Sequence, residues 1–344
     1  MILTQPEDEV TTQMSEATRS AVLQLHDLSV SVATPAGVIR LVDRLNLSVR
    51  PGERLALVGE SGSGKSVTAR AILRLDSGVI LSGQVLLKQR DLLTLSEREM
   101  RKVRGAQVAM VFQDPMTGLN PLMTIGDQVA ETLRVRGVSR KDARQRAVDA
   151  LDRLGIANAA ARIRAYPHEF SGGMRQRVCL AMAIIADPDV LIADEPTTAL
   201  DVRVQEQVLS LIDTLSRESG LAVLLITHDL GIVAGFADRV AVLYSGRKVE
   251  DGGVDVTYDR PLHPYTAGLL ASVPRIDQAP QARLLSIAGA PSNPISRPSG
   301  CPFHPRCSAR LPVCATDEPA AMFLDPDRVV CCHLHQAVSE CETA

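Results

Sequence analysis

Eight residues, GESGSGKS at Gly59–Ser66, carry chemistry that the rest of the chain must serve. They stand between an apolar run, Leu55-Ala56-Leu57-Val58, and a helix-like run, Val67–Leu75. Glycine, four residues, glycine, lysine and serine between a strand and a helix make the Walker A phosphate loop. Gly62 and Gly64 let the backbone curl against an anion in conformations that a side chain obstructs. The amides along Gly59, Ser61, Gly62, Ser63 and Gly64, continuing into Lys65, Ser66 and Val67, then point inward as a nest. The positive end of the following helix adds to the field at the phosphates. Lys65 is suited to reach the β- and γ-phosphates, and Ser66 to ligand Mg²⁺. A glycine–serine turn with a solvated lysine is the plainer alternative, and the strand–loop–helix context argues against it.

A second set of polar residues lies where apolar runs end. Gln113 follows Gln107–Phe112, Asp194-Glu195 follows Val190-Leu191-Ile192-Ala193, and His228 follows Leu221–Thr227. In open α/β sheets ligands sit beyond the carboxyl ends of the strands. Asp194 reads as a Walker B acid that holds Mg²⁺ through water. Glu195 is placed to polarise the attacking water or accept its proton. Gln113 could orient that water or contact the metal, and His228 could stabilise charge at the γ-phosphate end. Phosphoryl transfer is catalysed mainly by such positioning and electrostatics. Singly, each residue has an ordinary reading: a surface glutamine, a turn, a satisfied histidine. In this order behind a phosphate loop they read as one site.

The elements that must position these residues follow from the pattern. Val22–Ser31 and Arg40–Val49 read as half-exposed strands joined by a turn around Pro35-Ala36-Gly37. Gln84–Leu87 and Gln107–Phe112 are short β-like pieces, with a polar helix, Ser96–Val103, between them. Residues 116–170 change to helical character, as in Ser139–Leu154, where Ser139 suits an N-cap and Ala143, Ala147, Leu151 and Leu154 share a face. Phe170-Ser171-Gly172-Gly173-Met174 opens another helix, which Asp187-Pro188 stops. A further helix starts near Val202 and ends at Gly220. Val240–Tyr244 and Lys248–Val249 form a closing hairpin that turns at Ser245-Gly246. Alternating strands and helices imply an α/β protein with a largely parallel sheet.

The chain has 344 residues, 45% of them apolar, enough for about two domains with real cores. Net charge is −3, and Glu7, Asp8, Glu9 and Glu16 against Arg19 account for it within the first twenty residues. A nucleic-acid partner therefore gets no support from charge. No apolar run approaches the ~20 residues needed to span a bilayer, and the acidic start lacks the features of a signal peptide. These features lead us to expect a disordered tail at 1–20 and a cytosolic location, at a membrane only through a partner.

The order GESGSGKS, Gln113, FSGGMRQR (Phe170–Arg177), VLIADEP, Leu200-Asp201 and His228 resembles the ATPase subunit of an ABC transporter over residues 21–258. FSGGM resembles the signature motif, with Met174 where many members have glutamine. The resemblance implies a RecA-like P-loop NTPase core, an antiparallel β subdomain and a helical subdomain at about 115–175. It also implies a head-to-tail pair of cassettes, in which Ser171, Gly172, Gly173 and Met174 of one close over ATP held by the other. Asp201 then communicates between the two sites. One departure stands out: members usually stack an aromatic side chain on adenine near Val32, yet no aromatic residue precedes Phe112.

Of seven cysteines, Cys179 stands alone in a helical pattern as a small core residue, and Cys301, Cys307, Cys314, Cys331, Cys332 and Cys341 all fall in the last 44 residues. In a cytosolic chain such clustering favours metal over disulfides. No pair has the two-to-four-residue separation usual for zinc, whereas four irregularly spaced thiolates fit an iron–sulfur cluster. His263-Pro264-Tyr265-Thr266 and GCPFHPRC (Gly300–Cys307) resemble the C-terminal extension of the oligopeptide/dipeptide importer branch, here 259–344. That resemblance implies a [4Fe–4S] cluster at Cys301, Cys307, Cys314 and Cys332. Zinc, with His304 or His333 joining, and no metal at all remain as alternatives. The branch works with two transmembrane permease subunits, a second and usually different ATPase chain, and indirectly an extracytoplasmic solute-binding protein, at the cytoplasmic face of the membrane. The expected function is ATP hydrolysis coupled to uptake of di- or oligopeptides. The rivals are a nickel or other small-solute importer, a non-transport ABC protein, and a redox or regulatory protein.

Overall fold

The structure is a computed structural model and describes residues 21–35, 37–114, 118–197, 201–273, 287–325 and 328–339. Ala36, Leu200 and Cys341, named above, and the tail expected at 1–20 lie outside the described residues. In chain order the strands are β1 (Leu23–Thr34), β2 (Gly37–Val49), β3 (Arg54–Val58), β4 (Val79–Leu87), β5 (Arg90–Asp91), β6 (Val108–Val111), β7 (Val190–Asp194), β8 (Ala222–Thr227), β9 (Arg239–Tyr244), β10 (Arg247–Gly253), β11 (Met322–Asp325) and β12 (Arg328–Val330). The chain separates into two compact units. One comprises residues 1–50, 55–93 and 227–344; the other comprises 51–54 and 94–226.

In the first unit β2, β1, β4 and β5 form an antiparallel sheet in that order. The predicted first two strands are present and longer than expected, because Val32 still pairs with Ile39 and Val79. Leu23, Leu25, Leu28 and Val30 are buried on this sheet. A second sheet runs β11-β12-β10-β9-β3. Here β3 and β9 are parallel, and β9–β10 is the predicted hairpin, with Ser245 at φ 50° and Gly246 at φ 77°. Two left-handed residues in succession are what a tight hairpin turn with the right twist requires. Strands β11 and β12 are not expected from the sequence: antiparallel pairing of β12 with β10 carries the C-terminal region into this sheet. Tyr265, Cys301, Phe303 and Cys314 share one buried cluster with Ala56, Val58, Val240 and Val242.

In the second unit β6, β7 and β8 are parallel, with Val108 opposite Val190 and Val190 opposite Ala222. Every residue of β7 and β8 is buried, which explains their unbroken apolar runs. Two of the helices start at serine caps, of which Ser139 is the one expected from the sequence. Ser96 forms a reciprocal capping box with Glu99 ahead of Glu97–Val103, and Ser139 accepts from the Asp142 amide ahead of Arg140–Arg153. The helix Ile125–Arg134, capped by Thr124, was not specified by the sequence reading. Among the described residues no helix is long and apolar enough to cross a membrane.

Candidate functional site: a phosphate loop and an acid pair

In the first unit Lys65 opens the helix Lys65–Ile72, and its N-cap Gly64 has φ 104°. Gly62 has φ 78°, so both glycines hold the left-handed backbone that the loop needs. Gly59 is fixed by packing as well: a Cβ there would fall 2.2 Å from the Leu243 carbonyl oxygen. Lys65 is buried, and its Nζ donates to the carbonyls of Gly59 at 2.7 Å and Glu60 at 3.0 Å. Ser61 and Gly62 are exposed, and Ser66 and Val67 half-buried. The Gly246 amide donates to the Ser63 carbonyl at 2.8 Å, so the β9–β10 turn braces the loop from behind. The Ser63 hydroxyl is buried with no hydrogen-bond partner. Such an atom costs ~1–3 kcal/mol unless a ligand oxygen meets it, which fits a phosphate-binding loop. His228 also belongs to this unit and is exposed, next to Asp229, whose carboxylate caps Leu230–Phe236 through the Gly231 amide at 2.8 Å.

In the second unit Asp194 ends β7 and is buried. Glu195 follows at φ 47°, a left-handed backbone uncommon for a residue with a side chain. Its amide donates to the Ile226 carbonyl at 2.9 Å. Strain of this kind costs ~1–3 kcal/mol and persists where the surroundings over-determine it, typically at functional sites. The Gln113 amide Nε2 donates to Glu195 Oε2 at 2.8 Å, so two candidates 82 positions apart are brought into contact. Ser171 caps the helix Gly172–Ile184, its hydroxyl accepting from the Met174 amide at 3.4 Å. Ser171 and Gly172 are exposed. A Cβ on Gly173 would come within 2.5 Å of Val204, so close helix packing demands that glycine. Asp201 caps Val202–Ser219 through the Val204 amide at 3.0 Å. Cys179 is half-buried rather than in the core; burial and then the charge of Asp114 push its thiol up to about 12.

The C-terminal cysteines are placed selectively. Cys301, Cys307, Cys314 and Cys332 line one small cavity with His304 and His333, whereas Cys331 lies away from it. Burial, then the neighbouring Cys301, Cys307 and Cys314, push the Cys332 thiol up to about 11. Both ring nitrogens of His333 are engaged, Nδ1 with Gln336 Oε1 at 2.7 Å and Nε2 with the Asp317 carbonyl at 2.9 Å, which leaves none for zinc. Among the described residues no group of three or more His, Cys, Asp or Glu is arranged to hold a metal ion.

Three residues near the loop escaped the sequence reading: Glu60, Tyr265 and Arg306. Tyr265 and Arg306 sit in the runs that carried the C-terminal resemblance, but nothing in their spacing announces a partner some two hundred positions away.

A phosphate loop opening a helix in the first unit and, in the second, a buried acid followed by glutamate at a strand end are features of P-loop nucleotide-binding proteins. Residues 42–198 match the family described as "ABC transporter", and residues 249–314 match "Oligopeptide/dipeptide transporter, C-terminal region". The chain is 46% identical over 323 residues to the dipeptide transport ATP-binding protein DppD of Bacillus subtilis, covering 93% of this chain and 96% of that one. It is also 46% identical to the oligopeptide transport ATP-binding protein OppD of Salmonella typhimurium, covering 91% of this chain and 93% of that one. Among solved structures, the dimeric bacterial ABC transporter cassette MJ0796 superposes with a TM-score of 0.61 at 28% identity, over 67% of this chain and 98% of that chain. MJ0796 has also been solved in a post-hydrolysis state bound to ADP and Pi, with the same similarity. The chain belongs to the peptide-transport ATP-binding branch of the ABC transporter family, and it is an ATPase.

Proposed function

We propose that this chain is the energy-coupling subunit of a di- or oligopeptide importer, hydrolysing ATP while bound to two membrane permease subunits at the cytoplasmic face. The alignment with peptide-transport relatives along nine-tenths of the chain carries this reading over nickel or other small-solute import, and over a non-transport role. The amides along Gly59, Ser61, Gly62, Ser63 and Gly64, together with Lys65, bind the phosphates. Ser66, Asp194 and Gln113 supply the hydroxyl, carboxylate and amide oxygens suited to Mg²⁺, which when bound would neutralise phosphate charge. Glu195 holds the attacking water and accepts its proton, with Gln113 fixing its carboxylate. His228 steadies charge at the γ-phosphate. Ser171, Gly172, Gly173 and Met174 offer a second anion-binding helix tip, to be completed by another cassette in a dimer, and Asp201 stands at the head of the helix that packs on it. Support for these roles is the Gln113–Glu195 contact, the orphaned Ser63 hydroxyl and the left-handed Glu195 backbone.

Glu195→Gln is the test. It keeps shape and the Gln113 neighbour but cannot take a proton, so turnover should fall ~10²–10⁴-fold while ATP binding persists. Normal turnover would remove Glu195 from the assigned role.

A metal group belongs to the same reading. The four cysteines that line one cavity, irregularly spaced along the chain, would be the thiolate ligands of an iron–sulfur cluster. When bound, such a cluster would cross-link four points of the C-terminal region, a structural contribution.

A further inference from the structure

We propose that Arg306, from the cysteine-rich C-terminal region, is a positioning residue for ATP: it neutralises Glu60 of the phosphate loop and holds its carboxylate off the phosphates. The proposal rests on the reading of Gly59–Ser66 as the ATP site and adds a residue from outside the cassette motifs to it.

The loop carries an oddity: GESGSGKS places a carboxylate one residue into a cradle built for a triphosphate. Like charges in so small a space oppose binding. Arg306 answers this with a two-pronged contact, Nη1 to Glu60 Oε2 at 2.6 Å and Nη2 to Glu60 Oε1 at 3.0 Å. A fork-on-fork pair of this kind fixes direction as well as charge. Only 5% of the arginine side chain is exposed. Its own orientation is set by the Ala288 carbonyl, which accepts from Nε at 3.0 Å, and by the rings of Tyr244 and Phe303 beneath the guanidinium. The backbone of Glu60 is pinned from the same side: its amide donates to the Tyr265 hydroxyl at 2.8 Å. Its carbonyl faces inward and accepts from Lys65 Nζ at 3.0 Å. Glu60 thus connects the C-terminal region to the lysine of the phosphate loop within three bonds of one backbone unit. Tyr265, Tyr244 and Phe303 pack together under this contact, edge-on where Tyr244 is involved and tilted between Tyr265 and Phe303, with centroids 4.6–5.3 Å apart. In a chain with only four tyrosines and five phenylalanines, three of them gather here.

The experiment measures MgATP dissociation constants on the full-length chain for wild type, Arg306→Gln, Glu60→Gln and the double variant, with melting curves for each. Arg306→Gln should weaken ATP ~10-fold, a size within the coupling range of contacting residues. The defect should shrink as salt screens the freed carboxylate. Glu60→Gln should not weaken ATP, and the double variant should bind like Glu60→Gln alone. That asymmetry separates charge neutralisation from a mere structural tie, which would weaken both single variants alike and leave the double no better. Equal losses in both single variants, or an unchanged Arg306→Gln, overturn the proposal. Should Arg306→Gln not fold, weakened ATP binding by Glu60→Gln overturns it and unweakened binding by the folded double variant supports it. Wild-type protein that binds no ATP, checked against Lys65→Ala, overturns the ATP-site reading itself and the proposal with it.

Discussion

Val32 illustrates how much one side chain decides at the residue scale. It sits half-buried on β1, opposite Ile39 and Val79, where a stacking aromatic is expected and none exists. Replacing it with tyrosine should tighten ATP binding by ~0.5–1.5 kcal/mol, the value of an aromatic pair beyond its area. Titration calorimetry checks this, and an unchanged dissociation constant would discard Val32 as the adenine position. Glu195 and Gln113 were legible as single residues because each follows an apolar run. Their mutual hydrogen bond was not, because it depends on β6 and β7 being neighbours in register. Arg306 was invisible for the same reason in stronger form: an arginine flanked by proline and cysteine gives no clue that its partner is Glu60.

Among the elements, the β9–β10 hairpin has two tasks. Its turn supports the phosphate loop through Gly246, and its body holds a buried ion cluster. Arg239 meets Asp251 at 2.9 Å, Lys248 meets it at 2.7 Å, and Arg239 also donates to the Ser48 carbonyl at 2.7 Å, tying β9 to the end of β2. Burial alone would raise the Asp251 pKa, but Lys248 and Arg239 outweigh it and hold the carboxyl below its ordinary value of 3.8. A carboxylate depressed in the folded state stabilises above the unfolded pKa, and that stability is lost as pH falls through the folded one. The Asp251 contribution should therefore be constant above pH ~4 and decline below it. Asp251→Asn should cost ~3 kcal/mol at neutral pH, as when one partner of a buried pair is removed, and should flatten the acid limb. Urea unfolding at pH 7 and pH 3 measures both; an equal cost at the two pH values would dismiss the linkage.

For the molecule as a whole, the C-terminal region adds strands β11 and β12 to the β10 edge of the first unit's sheet and Tyr265, Phe303, Cys301 and Cys314 to its core. If the proposed cluster joins the four cysteines, the stability of that unit should depend on it. Protein prepared without oxygen is expected to be brown, and Cys301→Ser to lose the colour and melt at lower temperature. Colourless protein with stoichiometric zinc would instead assign zinc, and loss of ATPase activity without loss of stability would argue for a regulatory group.

Local chemistry by itself determined the left-handed glycine loop ahead of Lys65, the acid pair at the end of β7, the Ser139 cap and the Ser245-Gly246 turn. Each is written in consecutive residues whose backbone needs only certain side chains meet. Tertiary structure alone decided that β12 extends the sheet and that Arg306 and Tyr265 clasp Glu60. Those are contacts between segments far apart in the chain, selected by packing and charge in three dimensions, and no local pattern records them.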